Sequence, residues 1–373
     1  MSAPHDDQSE ETFPTSTHTH DEDAKENKKK AGRELIVVAV VLFFIFVVFL
    51  PQFIDYGQVV DAMLKLTIGQ IVLLFVLGVA KTWFDAGVYN TLIPGLKWWD
   101  GWKAWASSNS VAFVAPPGAD LAIRFGMYRT AGITGEAAGA GIVLSWFFST
   151  GYKLVVPIIA LTWVVIAEGI TDTAVVTITV IGLAAVVAGV GLFTLILYRE
   201  RIALRVGEVS QRWYNGIAGG RWKFPEAVGM GVKMVEFRHQ VAGTLKARWF
   251  PATLTTLAAQ AIFFIMLVMS LRFVGVTADQ APVAIIFDAY AIGLLLSMIP
   301  IFPGGIGVVE LAYVAVIVGE ASGNSELATA VTAGAFVHRI FTWLVPILIG
   351  LIPLGMWRRD MVKRQEAGAS GEA

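Results

Sequence analysis

The chain has 373 residues, of which 56% are hydrophobic and 15% charged, with 28 Lys and Arg against 29 Asp and Glu. Soluble domains carry roughly 25% charged residues, so the composition excludes an ordinary soluble domain; the near-zero net charge decides nothing as a sum, because the charges are segregated along the chain. The chain has no cysteine, which rules out disulfides, thiolate nucleophiles and cysteine metal sites. The expected fold class is all-α, a polytopic transmembrane helical bundle.

Residues 1–34 form a separate zone. Positions 1–23 are polar and acidic and predict a disordered tail; His5, His18 and His20 within it read as solvated side chains, not ligands. The tail is too long before the first apolar run for a cleaved signal peptide. Lys25, Lys28, Lys29, Lys30 and Arg33 then abut the first hydrophobic run.

Apolar runs near the length that crosses a bilayer predict spans over 35–50 (stopped by Pro51), 59–83, 137–167, 174–198, 249–274 and 282–299. A short broken element follows over 303–319, and a last span over 326–357, long enough to tilt or to kink at Pro346. The connectors 51–58, 168–173, 275–281 and 320–326 contain acids but no Lys or Arg. The opposite connectors are basic. Lys81, Lys97, Lys103, Arg124 and Arg129 fall in one, ten basic residues between 199 and 248 in another, and Arg358, Arg359, Lys363 and Arg364 follow the last span. The positive-inside rule then puts both termini in the cytoplasm, with 358–373 a second tail, about eight crossings, and 98–129 entering and returning on the cytoplasmic side. The connector 199–248 alternates apolar and basic residues, which suits an interfacial helix on anionic headgroups and equally a plain positive-inside loop.

Three constellations stand out for chemistry. Asn109 to Asp120 runs through Pro116-Pro117-Gly118, with Arg124 and Arg129 downstream; a turn flanked by arginines suits an anionic headgroup, because guanidinium offers a bidentate fork to phosphate. The second is Pro303-Gly304-Gly305-Ile306-Gly307-Val308-Val309-Glu310. Its glycines permit an unwound backbone, and Glu310 falls in the first turn of the next half-helix, where the positive helix end favours a carboxylate. The third is His338-Arg339 inside the last span. Intramembrane charge is costly and faces a partner or water, and Glu310 is the natural partner for Arg339. Asp288 and His338 are candidates for an ion or proton pathway, with buried hydrogen bonding or packing as the plainer role. Lys153, Asp61 and Lys65 are polar residues whose depth the sequence leaves open.

The segment from Pro303 to Glu310, followed by His338-Arg339-Ile340-Phe341-Thr342-Trp343-Leu344-Val345-Pro346 and Gly350, resembles the lysylphosphatidylglycerol synthase transmembrane-region family, also called flippase-like membrane proteins. The resemblance extends over most of residues 35–360. It implies a membrane domain with re-entrant elements, associated with moving aminoacylated or other anionic lipids between leaflets, and by position it carries over Pro303, Gly304, Gly305, Gly307, Glu310 and Arg339. Pro116-Pro117-Gly118-Ala119-Asp120 lacks the Arg and Gly-Glu pair usual after the proline of the family's N-terminal motif, leaving Arg124 and Arg129 as its basic residues. No synthase domain follows Arg364, so lipid aminoacylation is not expected of this chain.

The leading expectation is a translocase of an anionic or aminoacylated phospholipid, or of a lipid-linked precursor, in the cell membrane. Broken intramembrane helices recur where transporters meet substrate. The alternatives are a lipid-binding scaffold or regulator and a headgroup-modifying enzyme. The chain carries no HExxH, G-x-S-x-G, P-loop or cysteine motif, so no catalytic residue, cofactor or metal is assigned. The expected partners are anionic membrane lipids, not nucleic acid; a homo-oligomer or a partner synthase stays open.

Overall fold

The computed structural model describes residues 64–112, 118–167, 199–221, 228–298, 307–319 and 325–369, with scattered positions between 57 and 61, between 180 and 195, and at 305. The chain divides into two units, Met1–Phe53 and Ile54–Ala373, and every described element belongs to the second. The predicted span 35–50, most of 174–198, the turn at 113–117 and the residues Pro303 and Gly304 lie outside the described residues.

Among the described residues all regular structure is helical. In chain order the helices are α1 Ile68–Leu92, α2 Trp98–Val111, α3 Ala119–Thr130, α4 Gly135–Ala167, α5 Glu200–Arg221, α6 Met230–Phe273, α7 Val283–Leu296, α8 Val308–Val318, α9 Ser325–Arg339 and α10 Val345–Ala369, with a π-helical turn at Ile340–Leu344 joining α9 to α10. Four stretches are long and apolar enough to cross a membrane: Ile68–Leu92, Gly135–Trp163, Val241–Phe273 and Glu326–Lys363. At 1.5 Å per residue the 14-residue α7 and the 11-residue α8 reach about 21 and 17 Å, well short of the roughly 30 Å hydrocarbon core. They pack on one another as half-length elements. Large apolar side chains point outward along the spans, with Trp146 63%, Trp163 67% and Ile352 67% exposed. Patches of that kind are tolerated against lipid and not against water. The molecule is a multi-pass membrane helical bundle.

Sequence explains the main joints. Thr67 and Gln70 form a reciprocal capping box that starts α1. Leu74, Gly78, Thr82, Ala86 and Asn90, at four-residue steps, are the buried face of α1, which packs along α6. Helix α6 begins at Met230, well before the predicted start at 249. Its first part is basic and packs against α5, so hydropathy registers only its apolar half, which opens near Pro251. The basic connector contains helix α5, in which Ala203 and Gly207 are buried, while Arg205, Val209, Arg212 and Trp213 are exposed. A π turn precedes Pro346 in the last span. Val345 N–H reaches back to Ile340 O across it, and Pro346, which has no N–H to donate, follows at once. Chains commonly absorb such a gap in the helical ladder with a wide turn.

Helices α2 and α10 touch backbone to backbone. Ser110 Oγ donates to Ile347 O at 2.9 Å, and a Cβ at Gly350 would collide with the Ala106 carbonyl oxygen and Ser110 Oγ. Gly350→Ala is therefore expected to destabilise the protein by about 1–3 kcal/mol, the usual cost of overpacking. The check is thermal melting of the detergent-solubilised full chain; an unchanged curve would show that the two helices do not pass this close.

Candidate functional site

Polar side chains interrupt the apolar faces of several helices, and the bundle turns them toward a common space. On α1 they are Lys81, Asp85 and Tyr89, spaced by four residues and so on one face. Helix α2 adds Asn109, α3 adds Arg124, α4 adds Ser149 and Lys153, and α6 adds Thr256 and Gln260. The half-helices α7 and α8 supply Ser297 and Tyr313, and the α9–π junction supplies His338, Arg339 and Trp343. Together these line a cavity of about 420 Å³, within the range of small-molecule sites.

Arg124 is buried in its wall, 7% exposed. Its Nε and Nη2 donate to Ser108 Oγ at 2.9 and 2.6 Å, and its Nη1 donates to Tyr89 Oη at 2.5 Å. The guanidinium carbon lies 4.6 Å from the centroid of the Tyr89 ring. Three of its five N–H groups are thus held by neutral hydroxyls, and one on each terminal nitrogen stays available. No described carboxylate lies within ion-pair distance of it. A buried charge with only neutral partners is costly, and the cavity is where its counter-charge would sit.

Glu310 and Arg339 form the second centre. Glu310, 4% exposed, accepts from Gly307 N at 2.7 Å through Oε2 and from Arg339 Nε through Oε1. It therefore caps the first turn of α8 and neutralises Arg339 at once. Gly305 and Gly307 have φ of +72° and +84°, left-handed backbone that favours glycine. A Cβ on Gly305 would also strike Val309. The Gly305 carbonyl accepts from Arg339 Nη2 at 3.4 Å, and the Arg339 guanidinium stacks 4.3 Å from the Trp343 ring centroid. The glycine turn, the half-helix and the intramembrane arginine, 29 residues apart in sequence from Glu310 to Arg339, form one unit.

The remaining charges divide unevenly. Lys81 Nζ and Asp85 Oδ2 pair at 2.6 Å, with Lys81 also 5.1 Å from the Phe263 ring centroid. Lys153 lies within electrostatic reach of that pair but bonds to no described side chain or carbonyl. Among the described residues, no group of three His, Asp or Glu side chains converges on a metal-sized site.

The structure brings Arg124, His338 and Arg339 to the cavity; Glu310 and Gly305 stand behind Arg339 as its hydrogen-bond partners, and Gly307 bonds Glu310. His338, 1% exposed, binds the Phe263 carbonyl through Nε2 at 3.1 Å and lies edge-on to the Phe263 ring at 4.5 Å, which ties α9 to α6. Arg129 is outside the cavity: it is exposed and donates to Ile133 O at 2.9 Å, closing the end of α3. Asp288, half-buried on α7, does not line the cavity either. Lys81 and Arg124, assigned to a basic connector by sequence, are buried or half-buried helix residues facing the cavity. Asn109 opens the first constellation read from sequence, whereas Asp85, Tyr89, Ser149 and Gln260 escaped sequence reasoning. The signal was present in the four-residue spacing of Lys81, Asp85 and Tyr89 and of Ser149 and Lys153.

A family model described as the lysylphosphatidylglycerol synthase transmembrane region matches residues 36–350 of the chain. No curated protein matches it.

Proposed function

We propose that this chain, which belongs to the lysylphosphatidylglycerol synthase transmembrane-region family, moves a lipid with an anionic headgroup between the two leaflets of the cell membrane. The observation that carries this reading is Arg124, a buried guanidinium without a carboxylate partner among the described residues, opening on a polar cavity amid membrane-length helices. A headgroup crossing hydrocarbon loses its hydration, and an isolated charge there is prohibitive. A polar cavity with cationic walls replaces the lost water, while the acyl chains stay in lipid against exposed apolar side chains such as Trp146 and Ile159.

The Glu310–Arg339 unit supports the same reading. A glycine-rich turn leading into a half-helix that lines a cavity is the arrangement in which broken membrane helices serve substrates. In this reading both termini face the cytoplasm, as the distribution of Lys and Arg predicts.

The test is reconstitution of the full chain into vesicles carrying headgroup-labelled phosphatidylglycerol or phosphatidic acid in one leaflet. Label movement well above that in protein-free vesicles is expected for at least one of them. Movement no faster than the protein-free control for every anionic lipid tried would sink the reading and leave a lipid-binding scaffold in its place. Mass spectrometry of lipid retained on the purified protein gives an independent readout: enrichment of anionic over zwitterionic lipid is expected.

A further inference from the structure

The charge inventory of the cavity narrows the substrate. Among the described residues four cations line it, Lys81, Arg124, Lys153 and Arg339, against two carboxylates, Asp85 in the lining and Glu310 behind Arg339. Both carboxylates are engaged. Asp85 holds Lys81 at 2.6 Å, and Glu310 holds Arg339 together with the Gly307 N–H. The surplus is two positive charges, and it resides on Arg124 and Lys153, contributed by different helices, α3 and α4. Neither makes an ion pair with a described residue. Asn109 and Ser149 also line the cavity, and their side chains bond to no described partner.

We propose that the headgroup this cavity takes carries two negative charges on a terminal phosphate, as in a phosphomonoester or diphosphate lipid, in preference to a singly charged phosphodiester. The inference rests on the translocase reading and names the substrate class of the same site. A monoanion leaves one of the two cations uncompensated in a poorly hydrated space, where unpaired charge is most costly. A headgroup bearing an added ammonium finds both carboxylates already taken. A terminal phosphate carries about −1.5 to −2 at neutral pH and offers three acceptor oxygens. Arg124 meets such a group with its two available N–H groups, and Lys153 supplies a point charge from the facing helix. Asn109 and Ser149 supply neutral donors.

The experiment compares binding of short-chain phosphatidic acid, phosphatidylglycerol and phosphatidylcholine, with matched acyl chains, to the purified full chain in detergent at pH 8. Phosphatidic acid is expected to bind about tenfold more tightly than phosphatidylglycerol, the scale of one additional well-placed charge pair. Lys153→Gln is expected to bring the two to near equality, and Lys153→Arg to keep the preference, which separates loss of charge from loss of fold. Equal binding of the two anionic lipids by the unsubstituted protein, both above phosphatidylcholine, would overturn the dianion assignment and leave the translocase reading standing. A tenfold preference that survives Lys153→Gln would overturn the role of Lys153. Failure of both anionic lipids to bind above phosphatidylcholine would bring down the translocase reading as well.

Discussion

Arg339→Ala is expected to destabilise the folded protein by about 3–5 kcal/mol, the scale seen when one partner of a buried ion pair is removed. The substitution leaves Glu310 charged, 4% exposed and with only the Gly307 N–H as a partner. It also frees the Gly305 carbonyl and uncovers the face of Trp343. Glu310→Ala is expected to cost less, because Arg339 keeps the Trp343 ring and the Gly305 carbonyl. The double variant is expected to lose less than the sum of the singles, by about 0.5–3 kcal/mol, as contacting residues in one network do. Melting of the three variants in detergent measures this coupling. Strictly additive losses would mean that the two side chains do not pair in the membrane-embedded protein, and the broken segment would then need another explanation for its stability.

The pairing of Glu310 with Arg339 was legible in the sequence because each residue breaks a strong rule. Charge inside an apolar span and a turn rich in proline and glycine are both expensive in lipid. Two such violations in one chain are most cheaply resolved by each other. The span of α4 was legible from its apolar run, and the helix begins at Gly135, within two residues of its predicted start at 137; α1, Ile68–Leu92, lies about nine residues beyond the predicted span 59–83. Helix α6 was half legible, since its first turns are basic and amphipathic, and hydropathy registers only the part beyond Pro251. The π turn was visible only as Pro346: sequence marks the missing donor, while the wide turn that accommodates it depends on what packs alongside.

The cavity was the least legible feature, and its residues show why. Arg124, a headgroup candidate on sequence, and Lys81 were both counted with the basic connector, because a positive-inside count assigns every basic residue near a span to the cytoplasmic side. That count is indifferent to whether the side chain points to water or into the bundle. Asp85 resolves the matter for Lys81, since an acid four residues along the same helix gives it a partner at 2.6 Å. For Arg124 no described residue of its own helix is a partner. Its hydroxyl neighbours come from Ser108 on α2 and Tyr89 on α1, 16 and 35 residues away, and only the packing of three helices reveals that it is buried.

Arg124→Gln is the substitution expected to separate function from fold. Removing this guanidinium forfeits charge-assisted contacts to an anionic headgroup worth about 1.5–3 kcal/mol each, so lipid movement in the vesicle assay is expected to fall about 10- to 150-fold. Stability should move little or rise, because the variant relieves the molecule of a buried charge that no described carboxylate compensates. The glutamine amide can still reach toward the Ser108 and Tyr89 hydroxyls. Arg124→Lys is expected to restore little: an ammonium keeps the charge but lacks the fork that bonds Ser108 and Tyr89 while still presenting donors to the cavity. This pattern is the reverse of the one expected at Arg339, where stability carries the main loss, and the contrast distinguishes a group held for substrate from a group held for structure. Wild-type lipid movement by Arg124→Gln would exclude this cavity as the headgroup path, because its most deeply buried uncompensated charge would then have no part in the transfer.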